Sequence, residues 1–224
     1  MKFRVRYNLD KWVYNNYDTE FYNFRSLLED MLGRTDLEEL HKSVSYPELF
    51  TMKTEQSTIY HKEFYDKVRG SKFLEKYNYF IEHIIKPHFN GDKVVFQKIP
   101  TFRTQFLDNI SVGKWHRDRD YSHSTDEVNF YLSITESKNT NAVWAESEPD
   151  KGDYKPLNAK YGEYIMWDGA NCRHGNKQNE EDFTRVSFDF RAMAHSDYKD
   201  FERQGKESVH AKVKMVIGDY YEVL

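Results

Sequence analysis

Two different rhythms of apolar residues divide this chain near Asn90-Gly91-Asp92. Before that point the apolar positions recur at three- and four-residue steps, the period of an amphipathic helix. Phe73, Leu74, Tyr77, Phe80, Ile81, Ile84 and Ile85 form the clearest such run, with Ser71 placed to cap its start and Pro87 to close it. Phe21, Phe24, Leu28 and Met31 mark a shorter helix that Gly33 ends. The segment Thr54–Val68 reads as a third. After Gly91 the period changes to two. Val94 and Phe96 open a strand, and Thr101–Leu107, Val128–Thr135, Glu163–Trp167, Arg185–Arg191 and Lys212–Leu224 read as further strands, punctuated by Gly152, Gly162, Gly169 and Gly175. Helices first and strands later predict antiparallel sheets with helices packed on one side. The expected architecture is a single, mainly β domain of the α+β class. About residues 1–90 would be a helical buttress and about 91–224 a jelly-roll barrel. No internal repeat or low-complexity tract interrupts it.

Side-chain parity sorts the predicted strands. Along Arg185–Arg191, the residues Arg185, Ser187, Asp189 and Arg191 share one face, while Val186, Phe188 and Phe190 share the other. Along Val128–Thr135, Asn129, Tyr131 and Ser133 oppose Val128, Phe130, Leu132 and Ile134. Arg103 and Gln105 form a third polar pair. Polar faces on central strands are costly unless they are wet or bonded to something, so these faces are expected to meet at a site.

Composition narrows the class of protein. At 224 residues the chain is long enough to enclose a core, and its 38% apolar and 31% charged residues fit an ordinary globular protein. No apolar run approaches the ~20 residues of a membrane span. A net charge of −4 gives no electrostatic case for nucleic acid. Cys172 is the only cysteine, so no intrachain disulfide forms. With no apolar segment behind Met1-Lys2-Phe3-Arg4-Val5-Arg6, no secretory leader is expected, and a reducing cytoplasm suits both features. The 17 tyrosines and 16 phenylalanines accompany many Lys, Asn and Ile and carry no functional weight as a class.

Candidate chemistry lies in Trp115-His116-Arg117-Asp118, His174 and Arg185-Val186-Ser187. Two histidines and a carboxylate, the carboxylate two residues after the first histidine, are the ligand set of a facial triad, which leaves half of an octahedral iron(II) open. Eleven positions beyond His174 stands Arg185, whose planar fork suits a carboxylate, and Ser187 adds a hydroxyl on the same face. The flanking segments Asn129-Phe130-Tyr131-Leu132, Trp144-Ala145-Glu146-Ser147 and Arg185-Val186-Ser187-Phe188-Asp189-Phe190-Arg191 support the pattern. Over roughly residues 95 to 191 the chain resembles the iron(II)/2-oxoglutarate-dependent dioxygenase superfamily, and within it the streptomycin-biosynthesis type of hydroxylase.

The resemblance implies a double-stranded β-helix in which His116, Asp118 and His174 hold iron and act as the catalytic centre. Arg185 and Ser187 would anchor 2-oxoglutarate, and the remaining positions would take the cosubstrate and dioxygen. With a carboxylate at Asp118, oxidation of a polar, sugar-like or amino-bearing small molecule is favoured. Asn129 and Tyr131 are candidates for the other end of the oxo acid and fit structural sheet positions equally well. Arg103, Gln105, Glu127, Glu146 and Trp144 are candidates for the substrate opening. As solvated or core residues they would need no such role, and an ion pair with Asp182 would be the plain reading of Arg185. His123 reads as a neighbour or lid residue of the triad, and Cys172 as a small buried one. Two other functions compete: a cupin-like metalloenzyme without 2-oxoglutarate, and an inactive jelly-roll binding module. Both leave Arg185 and Ser187 unexplained. Substrate and oligomeric state are not encoded in any motif.

Overall fold

A computed structural model describes residues 12–208 and 212–224. The stretch Met1–Arg6, on which the expectation of no leader rests, lies outside the described residues. Three α-helices lie ahead of all but one of the strands: α1 (Phe24–Leu32), α2 (Ile59–Lys67) and α3 (Lys72–Phe80). Ser71 caps α3 by accepting a hydrogen bond from the Leu74 amide, as its position predicts, and Thr58 does the same for His61 at the start of α2. Gly33 ends α1 at φ 62°, a left-handed conformation that costs glycine little. α3 does not stop at Pro87. It widens into a π turn over Ile81–Ile85 and tightens into a 3₁₀ turn over Lys86–Phe89, which accommodates a proline lacking its amide hydrogen.

A strand, β1 (Val13–Asn16), which the sequence reading did not foresee, lies ahead of α1 within the region read as a helical buttress. The others are β2 (Val94–Gln97), β3 (Thr101–Gln105), β4 (Val128–Ser133), β5 (Val143–Ala145), β6 (Lys155–Pro156), β7 (Glu163–Trp167), β8 (His174–Asn176), β9 (Arg185–Ala194) and β10 (Tyr221–Val223). They make two antiparallel sheets. The larger runs β1-β7-β4-β9-β2-β10, with β3 also paired to β9, and the smaller runs β6-β5-β8. The segment Lys212–Leu224, expected as one strand, forms only β10, with turns and isolated bridges before it. The two sheets face each other in a jelly-roll arrangement. Tyr131, Ile165 and Trp167 of the larger sheet pack against Ala145, Leu157 and Ala159 on the side of the smaller one.

The outer face of the larger sheet belongs to the helices. Phe24 and Phe73 pack edge-on to Phe188 with ring centroids 5.1 and 5.4 Å apart, Tyr77 packs on Phe190 at 5.2 Å, and Phe64 stacks on Phe102 at 4.8 Å. Each of these buried rings contributes roughly 1.5–3 kcal/mol through lost water contact. With the apolar face spent on the helices, parity turns the polar residues of β3, β4 and β9 inward. Register then sets them side by side: Arg191 opposite Asn129, Asp189 opposite Tyr131, Ser187 opposite Arg103, and Arg185 opposite Gln105.

Candidate metal centre and adjoining cavity

His116 and His174 are brought together by an antiparallel bridge. The His116 amide donates to the His174 carbonyl at 2.9 Å and the reverse bond is 2.8 Å. Residues directly opposite in such a pair project side chains to the same face, and the two imidazoles lie 4.5 Å apart, centroid to centroid. Arg117 is extended at φ −109° and ψ 144°, so Asp118, two residues on, returns to the face of His116. Asp118 is fixed there by its amide, which donates to the Gly169 carbonyl at 3.1 Å.

The three donor atoms converge. Asp118 Oδ1 is 3.4 Å from His116 Nε2 and 3.5 Å from His174 Nε2, and one ligand atom from each residue lies within 4.8 Å of the others. Neighbouring ligands on an octahedral divalent ion, with bonds of about 2.1 Å, sit about 3 Å apart. A small side-chain adjustment closes that gap.

Each ligand has a partner that sets its orientation and charge. The Nδ1 atoms of His116 and His174 face the carbonyls of Lys114 and Cys172, at 2.8 and 3.1 Å. A carbonyl only accepts, so each Nδ1 carries the proton and each Nε2 presents its lone pair to the site. Asp118 Oδ2 accepts from Asn129 Nδ2 at 2.6 Å and from Arg191 Nε at 2.9 Å. Burial pushes the Asp118 carboxyl up, but the Arg191 guanidinium and the two imidazoles outweigh it and hold the group well below its usual range. Burial and the adjacent His116 lower the pKa of His174. Carboxylate and neutral imidazole are the forms a divalent metal needs.

Two glycines make this geometry possible. A Cβ at Gly169 would lie 2.5 Å from the Asn129 side-chain amide, and one at Gly175 would lie 2.7 Å from the Trp115 ring. Gly169 thus lets Asn129 reach Asp118, and Gly175 lets Trp115 cover the strand that carries His174. Trp167 closes the other side of the His174 imidazole, edge-on at 4.7 Å.

Beside the triad lies a small space of about 40 Å³, bordered by His116, His174, Asn129, Tyr131, Asn176 and Arg185. Arg185 is 1% exposed. Its guanidinium donates to Ser187 Oγ, to Tyr131 Oη at 3.4 Å and to Gln105 Oε1 at 3.1 Å, while its Nε has no partner. All three acceptors are neutral. The candidate ion pair with Asp182 does not form, and Arg185 has no carboxylate partner among the described residues.

A second, wider cavity of about 600 Å³ opens from His116 and Asp118 toward α2, with Tyr65, Arg69, Lys98, Arg103, Lys114, Tyr121 and His123 in its wall. Of the residues expected at a substrate opening, Arg103 is there. Gln105 is fully buried and serves Arg185 and Asn176. Glu127 is fully buried too, accepting from the Ser124 amide, His123 Nδ1 and the Tyr221 hydroxyl. Glu146 accepts from the amides of Gly152 and Arg173, organising a loop. Trp144 donates to the Asn139 carbonyl and stacks under Lys177. None of these four borders the wide cavity. Cys172 is buried, as expected of a small residue there. Sequence reasoning placed Arg191 on the inner face but gave it no role, and missed Gly169 and Trp167. Parity was the available signal for Arg191.

Fold and donor set together define a jelly-roll protein with a facial-triad metal site, the arrangement that the sequence's resemblance to iron(II)/2-oxoglutarate-dependent dioxygenases leads one to expect. No protein-family model matches the chain. Its sequence is 34% identical over 214 residues to the streptomycin biosynthesis protein StrG of Streptomyces griseus, covering 96% of this chain and 99% of StrG. The chain belongs to the family of StrG. Among solved structures, SnoN from nogalamycin biosynthesis, a non-heme alpha-ketoglutarate-dependent epimerase, shares the fold. Its TM-score is 0.53 at 12% identity, over 99% of this chain and 97% of SnoN. EctD from S. alaskensis with bound Fe is similar at a TM-score of 0.49 and 12% identity, over 86% of this chain and 75% of EctD. No helix among the described residues is long and apolar enough to cross a membrane.

Proposed function

We propose that this protein is an iron(II)/2-oxoglutarate-dependent oxygenase that hydroxylates a polar small molecule. The observation that carries this reading is Arg185. A guanidinium 1% exposed with only neutral acceptors around it adds little to the fold and leaves a buried positive charge that an anion would pair. It borders the same space as His116 and His174. A diacid whose distal carboxylate meets Arg185 and Ser187 would direct its other end toward the triad. SnoN, whose fold this chain shares, is an alpha-ketoglutarate-dependent non-heme enzyme, which is in keeping with this reading.

The donor set fits iron(II), with two imidazole nitrogens and one carboxylate oxygen on a single face. When bound, iron supplies oxygen activation coupled to decarboxylation of 2-oxoglutarate to succinate. The chain's own residues do the rest. The Lys114 and Cys172 carbonyls hold the imidazoles in the ligating tautomer, and Asn129 and Arg191 hold Asp118 ionised and oriented. Asn129 therefore serves Asp118, since its amide nitrogen is committed there; Tyr131, bonded to Arg185, remains a cosubstrate contact. Trp115 and Trp167 exclude water around His174. The space beside Arg185 adjoins the wider cavity, since Arg103, Val112, His116 and Arg191 border both.

Aerobic incubation with iron(II) and 2-oxoglutarate tests the reading. Succinate should form above the level of a metal-free control and of a His174→Ala variant. Metal-dependent turnover of any substrate that needs no 2-oxoglutarate would defeat it. A protein that binds one divalent ion at the triad yet neither binds nor consumes 2-oxoglutarate would defeat it equally.

A further inference from the structure

The wide cavity has a charge pattern that the proposed reaction does not use. Its wall carries Lys53, Arg69, Lys98, Arg103 and Lys114, contributed by five separate stretches of a chain whose net charge is −4. Lys53, Arg69, Lys98 and Lys114 form no ion pair among the described residues. Arg103 donates through Nε to Asp189 at 3.3 Å, and its Nη1 is buried with no partner.

The acidic residues of the same wall are differently placed. Glu55 accepts from the Gly113 amide, Asp219 from the Lys214 amide at 2.9 Å, and Asp118 is held by Arg191. Basic side chains thus outnumber acidic ones in this wall, and two of its three carboxylates, Glu55 and Asp118, are buried and held by the chain while Asp219 is exposed. A wall of one sign concentrates ligands of the other.

Resting on the oxygenase reading, we propose that the substrate is a phosphate monoester. The kind of anion follows from the kind of cation. A carboxylate is matched by one planar fork, as Arg185 would supply for the diacid. Three lysines and two arginines, approaching from different elements, suit a tetrahedral dianion whose terminal oxygens accept from several directions, with lysine acting as a point charge. The cavity of about 600 Å³ has room for a phosphate against this wall and for the carbon framework beside His116 and Asp118. Tyr65 and Tyr121 in the wall offer that framework hydroxyls and ring faces.

Calorimetric titration of the Mn(II)-loaded protein with 2-oxoglutarate present, in the absence of oxygen, tests this. The probes are inorganic phosphate, glucose 6-phosphate, glucuronate and glucose. Phosphate and glucose 6-phosphate should bind, at least tenfold tighter than glucuronate or glucose, and more weakly as salt rises. The double variant Arg69→Gln/Lys98→Gln should lose about tenfold in phosphate affinity while its Mn(II) affinity stays at the parent value. Equal binding of glucuronate and glucose 6-phosphate would overturn the proposal. So would phosphate affinity unchanged in the double variant, which would mean that phosphate sits on the metal. Mn(II) and 2-oxoglutarate binding with no phosphate binding would refute the phosphate assignment and leave the oxygenase reading standing. Absence of Mn(II) and 2-oxoglutarate binding would remove both.

Discussion

Replacing Arg185 by methionine separates a residue kept for function from one kept for stability. In the ligand-free protein Arg185 makes three hydrogen bonds to neutral acceptors. Bonds from a charged group contribute about 1.5–3 kcal/mol each, but taking a guanidinium out of water costs several kcal/mol. The two nearly cancel. Methionine has similar bulk, no charge and enough flexibility to fill the same slot. The acceptors it abandons are not stranded: Gln105 Oε1 keeps Asn176 Nδ2 at 3.2 Å, and the Ser187 and Tyr131 hydroxyls can rotate. Arg185→Met should therefore leave unfolding free energy within about 1 kcal/mol of the parent, or raise it, a shift in Tm of about 2–4 °C at most.

Cosubstrate binding should respond very differently. Two charge-assisted bonds to a distal carboxylate are worth roughly 3 kcal/mol or more together, a factor of at least about 100 in affinity. At a concentration 100 times Kd, 2-oxoglutarate stabilises the parent by about 2.7 kcal/mol, and this upshift should vanish in the variant. Thermal melts with and without 2-oxoglutarate, beside calorimetric titrations of Mn(II)-loaded protein, read both quantities. A variant that loses more than about 3 kcal/mol of intrinsic stability, yet keeps the 2-oxoglutarate-dependent upshift, would show that Arg185 serves the fold and would sink the argument.

Other outcomes follow from the site. Gly169→Ala, which drives a methyl into the Asn129 amide at 2.5 Å, should weaken divalent metal binding by about 10–100-fold with a native circular-dichroism spectrum; unchanged metal affinity would show that Asn129 does not position Asp118. His174→Ala should abolish stoichiometric Mn(II) binding in a calorimetric titration, since it removes one of three ligands. His61, 1% exposed, is held neutral by burial and by Arg103, its pKa lowered to about 3. Between pH 6.5 and that value the unfolded chain takes a proton that the folded one refuses. Stability is complete above 6.5 and falls with pH by at most about 1.4 kcal/mol per unit. His61→Gln should flatten that part of the pH–stability curve in urea titrations, and an unaltered slope would assign it to other groups.

The readable parts of this structure were those with a strong local signal. α3, capped by Ser71 and carrying an apolar step of three and four, was visible because its buried face spans several turns. β9 was visible because the seven residues Arg185–Arg191 alternate, and their parity predicted which of Arg185 and Phe188 faces inward. The smaller sheet was not. β5, β6 and β8 have three, two and three residues, and the last contains Gly175, so no alternation can build up. β1 escaped for the same reason, since four residues with only every second one half-covered resemble any polar loop. Glu127 carried a local signal in His123 four residues before it, whose Nδ1 lies 2.7 Å from the buried carboxylate.

Asn129 shows why motif and parity stop short of a mechanism. Both placed it correctly on the inner face, beside a presumed diacid. Its partner is settled by a residue 11 positions earlier in a turn, whose carboxylate takes the amide at 2.6 Å because Gly169 leaves the space. Once Asn129 and Arg191 are committed to Asp118, the charges of the inner face divide into two systems. Arg103, Asp189, Arg191 and Asp118 form a connected chain of ion pairs. Arg185 stands outside that chain with neutral neighbours only. A divalent ion at the triad makes the region more positive still, which strengthens its attraction for a dianion. Metal and diacid are then coupled, each favouring the other by the same free energy. The isolated Arg185 guanidinium is what turns that general attraction into a defined orientation.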